Sequence, residues 1–529
     1  VAVADTAPPT GTPATVSADV LPTWQINGVV WAQVLVGNTV YVTGSFTKAR
    51  PPGVSPGGAG EVNALNIFAY DITTGNRVTS FSHSLNAQGR AITASPDGTR
   101  VYVGGDFTTV DGISRQHVAA FLTATKALDS SFRPSVNGAV KALAATNTTA
   151  YIGGLYSTVN GSARRNLSAV SPNSSGGSLL SWAPRADYGT ASGAVEAMVM
   201  TPDQRRVIVG GRFTTLNGQS ANGMGSVDAS NGAQIHPWAA NQNIRNGGDK
   251  SGISNLRTDG QQIFGVGWAF GSGNFEGTFA ANPYTGAITV VNDCHGDTYD
   301  VFPIGSVLYS VGHAHDCRWI RSFPDTSPRV RWQRALAQTI APKTTNIGPD
   351  NYGWNYNGLP ASAVLQWYPD LPSGSYTGQY QGPWTITGNS TYIVMGGEFP
   401  KVNGVAQQGL VRMAVKGTAP NKRGPIYDTK PPRPVPETTA TSPSQGRVTV
   451  TFGTAWDYDN ELLTYELYRN STSTPIYTTK IKTNFWTVPS ATFTDTGLAS
   501  GSSQTYQVKI IDPLGNSRWS PKSSAVIVK

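Results

Sequence analysis

An all-β architecture, a seven-bladed β-propeller followed by a β-sandwich, is predicted by three features of this 529-residue sequence. They are its composition, a strand motif that recurs seven times, and chain ends that complement each other. The composition has 59 Gly, 35 Pro, 13 Trp, 21 Tyr and 17 Phe with only 13% charged residues, against a globular norm of about 25%. Aromatic and β-branched residues suit half-buried pleated strands, and Gly, Pro and Asn suit the turns between them. A helical protein and a disordered chain are both excluded.

The motif is a strand that ends in glycine. It reads VYVTGSF at 40–46, VYVGGDF at 101–107, YIGGLY at 151–156 and VIVGGRF at 207–213, with looser copies IFGVGW at 263–268, LYSVGH at 308–313 and IVMGGEF at 393–399. The glycines Gly44, Gly105, Gly154, Gly211, Gly267, Gly312 and Gly397 stand 45 to 85 residues apart. A spacing of that size suits a four-stranded unit rather than a strand pair. Alternating segments at 29–34, 140–144 and 195–199 precede the motif as first strands, some through a turn such as Pro96-Asp97-Gly98. Asp111-Gly112, Asn160-Gly161, Asn217-Gly218 and Asn403-Gly404 follow it, then a third strand as at 65–70, and a fourth strand ending in Phe81, Phe132, Trp182 or Trp238. Four antiparallel strands repeated seven times close radially.

The seventh copy stops after its third strand, at 410–415, and the missing strand stands at the other end of the chain. Residues 20–24 (VLPTW) hold the same place before the first copy as Ile235 to Trp238 hold in mid-chain. The N-terminus therefore completes the last blade, and residues 1–417 form one domain. Residues 418–436 are a short, stiff Pro-rich linker. Residues 437–529 alternate as about seven short strands, and their order resembles a fibronectin type III sandwich with Tyr506 as its corner tyrosine. Its role reads as a spacer or accessory module. Asp457 and Asp459 read as turn-capping acids, with calcium ligation the alternative.

The repeat Gly-Gly-x-Phe-Thr-x-x-Asn/Asp-Gly resembles the delta-60 repeat, a β-propeller family of secreted bacterial proteins, over about residues 20–417. The resemblance implies a fold and secretion. It transfers no catalytic residue, because propellers host many unrelated functions.

Net charge is +8 with no block of like charges, which argues against nucleic acid as a partner. No apolar run reaches the ~18 residues of a membrane span. Val1 to Asp5 resemble the end of a secretory leader, because Ala2-x-Ala4 fits the small-residue cleavage pattern. Cys294 and Cys317, the two cysteines, are read as one disulfide, which places the protein in an oxidising, extracellular compartment.

In a four-stranded blade, the loop between the second and third strands and the connection to the next blade emerge on one face. Cys294 and Cys317 fall in two such neighbouring loops at copy six, and His295, His313 and His315 with Asp293, Asp297, Asp300 and Asp316 lie beside them. Spacing alone leaves three uses open: hydrogen bonding around the disulfide, acid–base work, or a divalent metal (Zn, Mn, Fe or Ca) held by His295, His313, His315 and Asp297. His313-x-His315 alternates so that both rings point one way from an extended segment. Trp268, Phe270 and Glu276 replace the usual loop in copy five. A long insertion at 342–384, read as a connection between blades, carries Asp350, Tyr352, Trp354, Tyr356, Trp367, Tyr368 and Tyr376, and a second at 48–63 carries Arg50 and Glu61. Aromatic rings with carboxylates and little net charge suit sugars. The reading is a secreted, polysaccharide-recognising protein with its site on copies five, six, seven and one, and glycan cleavage as its chemistry. Glu276, Asp297, Asp316, Asp350 and Glu61 are the hydrolase candidates, and His295, His313 or a loop tyrosine the lyase bases. The alternative is a non-enzymatic adhesion or assembly protein using the same aromatics for protein contacts.

Overall fold

All the motif glycines but Gly267 sit where two strands come too close for a side chain. The partner of each in the preceding strand lies next to a β-bulge, a one-residue slip in register that brings the bulged strand's carbonyl against the glycine. A Cβ on Gly105 would strike the carbonyl oxygen of Gln88, and one on Gly397 that of Gly382. The glycine before it fills a second role. A Cβ on Gly396 would lie 2.7 Å from Val30 Cγ1 in the next sheet around. The doubled Gly-Gly therefore records two close approaches, one within a sheet and one between sheets.

The computed structural model describes residues 11–189, 191–427, 435 and 437–529. The leader-like residues Val1 to Asp5 and most of the proline-rich stretch of the linker lie outside them. The chain is all-β. Seven antiparallel sheets follow one another, opening with the first strands Val29–Val36, Gly89–Ala94, Ala139–Ala145, Ala194–Met200, Ser251–Thr258, Thr298–Ile304 and Pro383–Gly388; we number them sheets 1 to 7. Each first strand packs beside the next, and that of sheet 7 packs beside that of sheet 1. An aromatic pair recurs between layers: Tyr102 against Phe132 at 5.2 Å, Tyr151 against Trp182 at 5.0 Å, and Tyr309 against Trp367 at 5.1 Å, all edge to face.

The N-terminal segment lies along the third strand of sheet 7 (Leu410–Ala414): the Ser17 amide donates to Ala414 and the Leu21 amide to Arg412. Arg412 binds the seam. It is 2% exposed, and its guanidinium donates to Thr23 Oγ1 and to the carbonyls of Pro22, Ile72 and Thr73. One side chain thus ties the N-terminus, sheet 7 and sheet 1. Arg50 fastens the same seam by donating to Val54 O, Gln25 Oε1 and Gln408 Oε1.

The long insertion differs from its expected place. Val364 bridges Gln338, and the Leu365 amide donates to Ala337, so residues near 364 supply the fourth strand of sheet 6. The insertion is mainly an extra hairpin before that strand, with Thr344–Thr345 paired to Pro360–Ala361. Trp367 and Tyr368 follow it in the place that Trp182 holds in sheet 3.

Beyond the seventh sheet, strands Thr439–Thr441, Arg447–Gly453 and Ser490–Thr496 form one sheet, and Tyr477–Lys482, Leu462–Arg469, Tyr506–Ile511 and Ser517–Trp519 another. Val450, Phe452, Tyr465, Leu467 and Val508 fill the space between them. The Tyr506 hydroxyl donates to Asp495 Oδ2 at 2.9 Å. Trp456, Phe485 and Trp486 pack on Phe323 and Tyr368, so this unit sits against sheet 6.

Two changes at the seam test it. Deletion of residues 1–26 is expected to abolish soluble folding. Arg412→Met leaves two buried acceptors, Thr23 Oγ1 and Ile72 O, without their donor and is expected to cost about 3 kcal/mol, read as a lowered denaturant midpoint. A truncated chain that remains folded would show that the seam is dispensable.

Candidate functional site

The bulge that demands the glycine also turns one side chain out of each first strand. The register slips between Val30 and Ala32, Gly89 and Ala91, Val140 and Ala142, Val195 and Ala197, Ile253 and Asn255, Thr298 and Asp300, and Pro383 and Thr385. The skipped residues are Trp31, Arg90, Lys141, Glu196, Ser254, Tyr299 and Trp384. All seven line one central cavity of about 910 Å³. A bulge re-aims the residue it leaves unpaired, and here it does so once per sheet, giving a ring.

The ring is divided by chemistry. Sheets 6, 7 and 1 contribute Tyr299, Trp384 and Trp31, whose rings touch in sequence at 4.1 and 5.0 Å. Sheets 2, 3 and 4 contribute Arg90, Lys141 and Glu196. Arg90 is held by Asp106, with Nη2 at 2.8 Å, and Arg212 Nε lies 2.9 Å from Glu196. Lys141 has only a Glu196 oxygen at 3.7 Å, which Arg212 shares. Burial lowers the lysine's pKa, and so do the neighbouring Arg212 and Arg90, while Glu196 opposes them. Trp268, Phe270 and Asp297 complete the wall, with Phe270 80% exposed.

Behind Tyr299 lies a proton-sharing group. Glu276 accepts the Gly296 amide at 2.8 Å and hydrogen-bonds the Asp297 carboxyl. Burial first, then the neighbouring Asp297 charge, pushes Glu276 up to about 7, against an ordinary 4.5. Burial raises Asp297 as well, but the bond between the two carboxyls raises Glu276 and lowers Asp297, so Glu276 holds its proton the more firmly and Asp297, which faces the cavity, is the one that ionises first. The Tyr299 hydroxyl lies 3.4 Å from Asp297 Oδ2 and 3.2 Å from His313 Nδ1. The Asp297 amide donates to His313 Nε2 at 3.3 Å. That nitrogen is therefore bare, and the ring proton belongs on Nδ1, facing Tyr299. Burial lowers His313 and raises Tyr299 well above its ordinary value, so the imidazole is neutral and the phenol keeps its proton.

His315 goes elsewhere. It lies 6.0 Å from His295, ring to ring, and its Nδ1 is 3.4 Å from Asp325 Oδ2. Burial and the nearby Arg329 lower it to about 4. The two histidines thus serve different groups, because the strand ends at Ala314 and the chain turns to reach Cys317. His295 donates from Nε2 to Asp350 Oδ2 at 2.7 Å, with Asp293 Oδ2 at 3.8 Å, and its side chain is 1% exposed. Tyr352 covers it at 4.5 Å and Trp354 meets its edge. Asp293, His295 and Asp350 are the described residues grouped closely enough to surround an ion, within 4.8 Å of one another. A direct contact of 2.7 Å is closer than two ligands of one ion with bonds of about 2.1 Å stand; the three form a hydrogen-bonded cluster. The expected metal set of His295, His313, His315 and Asp297 is divided between the two groups.

Other expectations are corrected by burial. Trp367, Tyr368, Tyr356 and Arg50 are 0 to 4% exposed, so none offers a surface to a ligand. Trp367 packs on Tyr309, Tyr368 on Phe323 and Phe485, and the Tyr356 hydroxyl donates to Asn274 O. Glu61 accepts the Gly57 amide of its own loop, and Asp316 is held by Arg318 Nε at 2.9 Å. Asp350 is taken up by His295 and by the amides of Tyr352 and Trp354. Tyr376 is half exposed, its hydroxyl 3.1 Å from Ser45 Oγ. Cys294 and Cys317 form the disulfide, with Cα atoms 4.2 Å apart. Sequence reasoning overlooked Trp31, Arg90, Lys141, Glu196, Tyr299 and the cavity role of Trp384. The signal was present: each stands 13 or 15 residues before a motif glycine.

Neither a protein-family model nor a curated protein matches the chain. Among solved structures it is similar to an oligogalacturonate lyase of Vibrio parahaemolyticus, at 10% identity over 76% of this chain and 93% of that one, TM-score 0.40. It is similar also to a GH74 enzyme of Niastella koreensis, at 10% identity over 95% of this chain and 73% of that one, TM-score 0.38. Likenesses this slight do not bear on chemistry.

Glu276 links this group to stability. A carboxyl whose folded pKa is raised contributes stability that is fully present below its ordinary value of 4.5 and lost as pH rises through about 7. Between pH 5 and 8 the denaturant midpoint is expected to fall more in the native protein than in Glu276→Gln, which keeps the hydrogen bond without the ionisation. Equal falls in both would place the proton elsewhere.

Proposed function

We propose that this chain is a secreted seven-bladed propeller, closed by its N-terminal segment and followed by a fibronectin type III-like domain. In this reading it binds an acidic polysaccharide at the mouth of its central cavity and cleaves it by β-elimination. The observation that carries the reading is the divided ring of bulge residues. Sugar C–H faces stack on Tyr299, Trp384 and Trp31, and a sugar carboxylate faces Arg90, Lys141 and Arg212. A neutral glycan would leave the weakly partnered Lys141 without a use.

Contact between Glu276 and Asp297 supports elimination over hydrolysis as the cleavage chemistry. Hydrolysis across a glycosidic bond needs two carboxyls about 5–10 Å apart, whereas these two touch and act as one acid–base unit. Proton abstraction fits them. Asp297 removes the proton from the ring carbon beside the sugar carboxylate, and that electron pair becomes the new C=C bond as the C–O bond to the next sugar breaks. The departing oxygen keeps the bonding electrons and takes a proton from the Tyr299 hydroxyl; Asp297, now carrying the abstracted proton 3.4 Å away, returns it to the phenolate, which His313 Nδ1–H steadies by donating a hydrogen bond. The cations oppose the negative charge that gathers on the carboxylate in the transition state.

The test is a panel of polyuronates and neutral glucans, followed by the absorbance of unsaturated ends and by reducing sugar. One polyuronate is expected to yield unsaturated product, with Asp297→Asn and Tyr299→Phe slowing turnover by about 10²–10⁴-fold and binding largely kept. Reducing ends without unsaturation would point to hydrolysis. Binding without turnover, unchanged in both variants, would make the mouth an adhesion surface.

A further inference from the structure

The loop by which the C-terminal unit rests on the ring buries two carboxyl groups side by side. Asp457, Asp459 and Asn460 are 0, 4 and 1% exposed. The loop is clasped on both sides: Gln366 Nε2 donates to Asp457 O at 2.6 Å, the Tyr368 amide to Tyr458 O at 2.8 Å, and the Ala18 amide to Asp459 Oδ2. It therefore lies where the N-terminal seam, sheet 6 and the C-terminal unit meet. Two more buried carboxylates flank it. Asp19 receives the amides of Lys422 and Arg423, and Asp512 receives Asn516, whose amide also donates to Asn421 O and Arg423 O. Among the described residues no Lys, Arg or His forms an ion pair with any of these four carboxylates.

Buried charges are ordinarily paired or bound to a metal. Here two adjacent carboxyls are buried against each other with a hydrogen bond between them, and the buried Asn460 Oδ1 has no hydrogen-bond partner. Turn capping accounts for Asp457 Oδ1, which receives the Asp459 amide at 3.1 Å. It leaves the juxtaposed carboxyls and Asn460 Oδ1 unexplained. The Asn460 amide nitrogen lies 2.7 Å from Asp459 Oδ1 and 3.5 Å from Asp457 Oδ1, so the orphan oxygen belongs to a group already in the cluster.

We propose that Asp457, Asp459 and Asn460 bind Ca²⁺ at this junction, and that the ion locks the C-terminal unit onto the ring. An all-oxygen set of two carboxylates and an amide, without nitrogen or sulfur ligands, selects a hard cation, and Ca²⁺ tolerates the irregular geometry of a loop and completes its shell with carbonyls or water. The inference is independent of the catalytic reading, because no cavity residue takes part.

Trp456 and Tyr458 flank Asp457, which makes the test optical. Full-length protein, freed of metal by chelation, is titrated with Tb³⁺ under indole excitation and then with Ca²⁺ as competitor, and its melting temperature is followed with Ca²⁺ alone. One Tb³⁺ per chain is expected to luminesce and to be displaced by Ca²⁺ at about 10⁻⁴–10⁻³ M, the range of extracellular modules. Saturating Ca²⁺ should raise the melting temperature by about 3 °C or more. Asp457→Asn, nearly isosteric, should abolish both responses while folding normally; Asp459→Asn should weaken them at least tenfold. A metal-free protein indifferent to Ca²⁺, or responses undiminished in Asp457→Asn, would overturn the proposal. A variant more stable than the native protein at every Ca²⁺ concentration would instead show two acids that merely repel.

Discussion

The close approach of each motif glycine to a bulged first strand is the constraint from which the rest follows. Except at Gly267, where Asn246 and Phe275 crowd the position instead, a side chain there would collide with the carbonyl beside the bulge, so glycine permits the bulge. The bulge then frees one residue per sheet from its pairing and sends its side chain to the axis. Fold and site are therefore two consequences of one backbone feature. The glycines are constant because their nearest surroundings are mostly backbone. The bulge residues vary around the ring because they face open volume, where no neighbour dictates their size.

Closure gives that arrangement its meaning. Seven side chains make a mouth only if sheet 7 returns to sheet 1, and the return depends on the N-terminal segment and on Arg412, a buried cation satisfied by carbonyls and a hydroxyl rather than by a carboxylate. An acidic partner would have neutralised the pair without tying three segments together. The planar fork reaches several acceptors in separate directions, which a lysine cannot do. Asp300 does comparable work between sheets 5, 6 and 7, receiving Arg257 and Asn255 on one side and Thr385 and the Ile386 amide on the other.

Much of this was legible in the sequence, and what was not has physical causes. The seven motifs, the N-terminal complement of the last one and the Cys294–Cys317 pair could be read because strands, glycines and cysteines leave local patterns. The grouping of Glu276, Asp297 and His313 was approached through loop positions. The division of His313 from His315 was hidden, because alternation holds only while the strand lasts. Trp367 was misread for a related reason. The extra hairpin at Thr344–Thr345 and Pro360–Ala361 displaced the fourth strand of sheet 6, although Trp367-Tyr368-Pro369 repeats the pattern Trp182-Ala183-Pro184. Conspicuous aromatics drew attention to an insertion whose rings mostly pack inward, while the single residue skipped by the bulge within each alternating run carried the cavity.

The C-terminal unit bears on the site through one contact layer. Phe485 and Trp486 press on Phe323 and Tyr368, and Phe323 belongs to the segment that runs from Cys317 toward Gln333 and carries Asp325, the partner of His315. That segment has little regular structure of its own beyond a short turn at Arg318–Ile320. Its order depends on the disulfide at one end and on the borrowed aromatic layer along its length. The loop holding Trp456, Asp457 and Asp459 packs against the same layer, with Trp456 on Phe485, so the C-terminal unit and the segment that carries Asp325 share one set of contacts. The C-terminal unit is thereby part of the wall that supports the sixth sheet, and a spacer held by a flexible linker would not need the interlocking seen between Gln366, Tyr368 and residues 457–458.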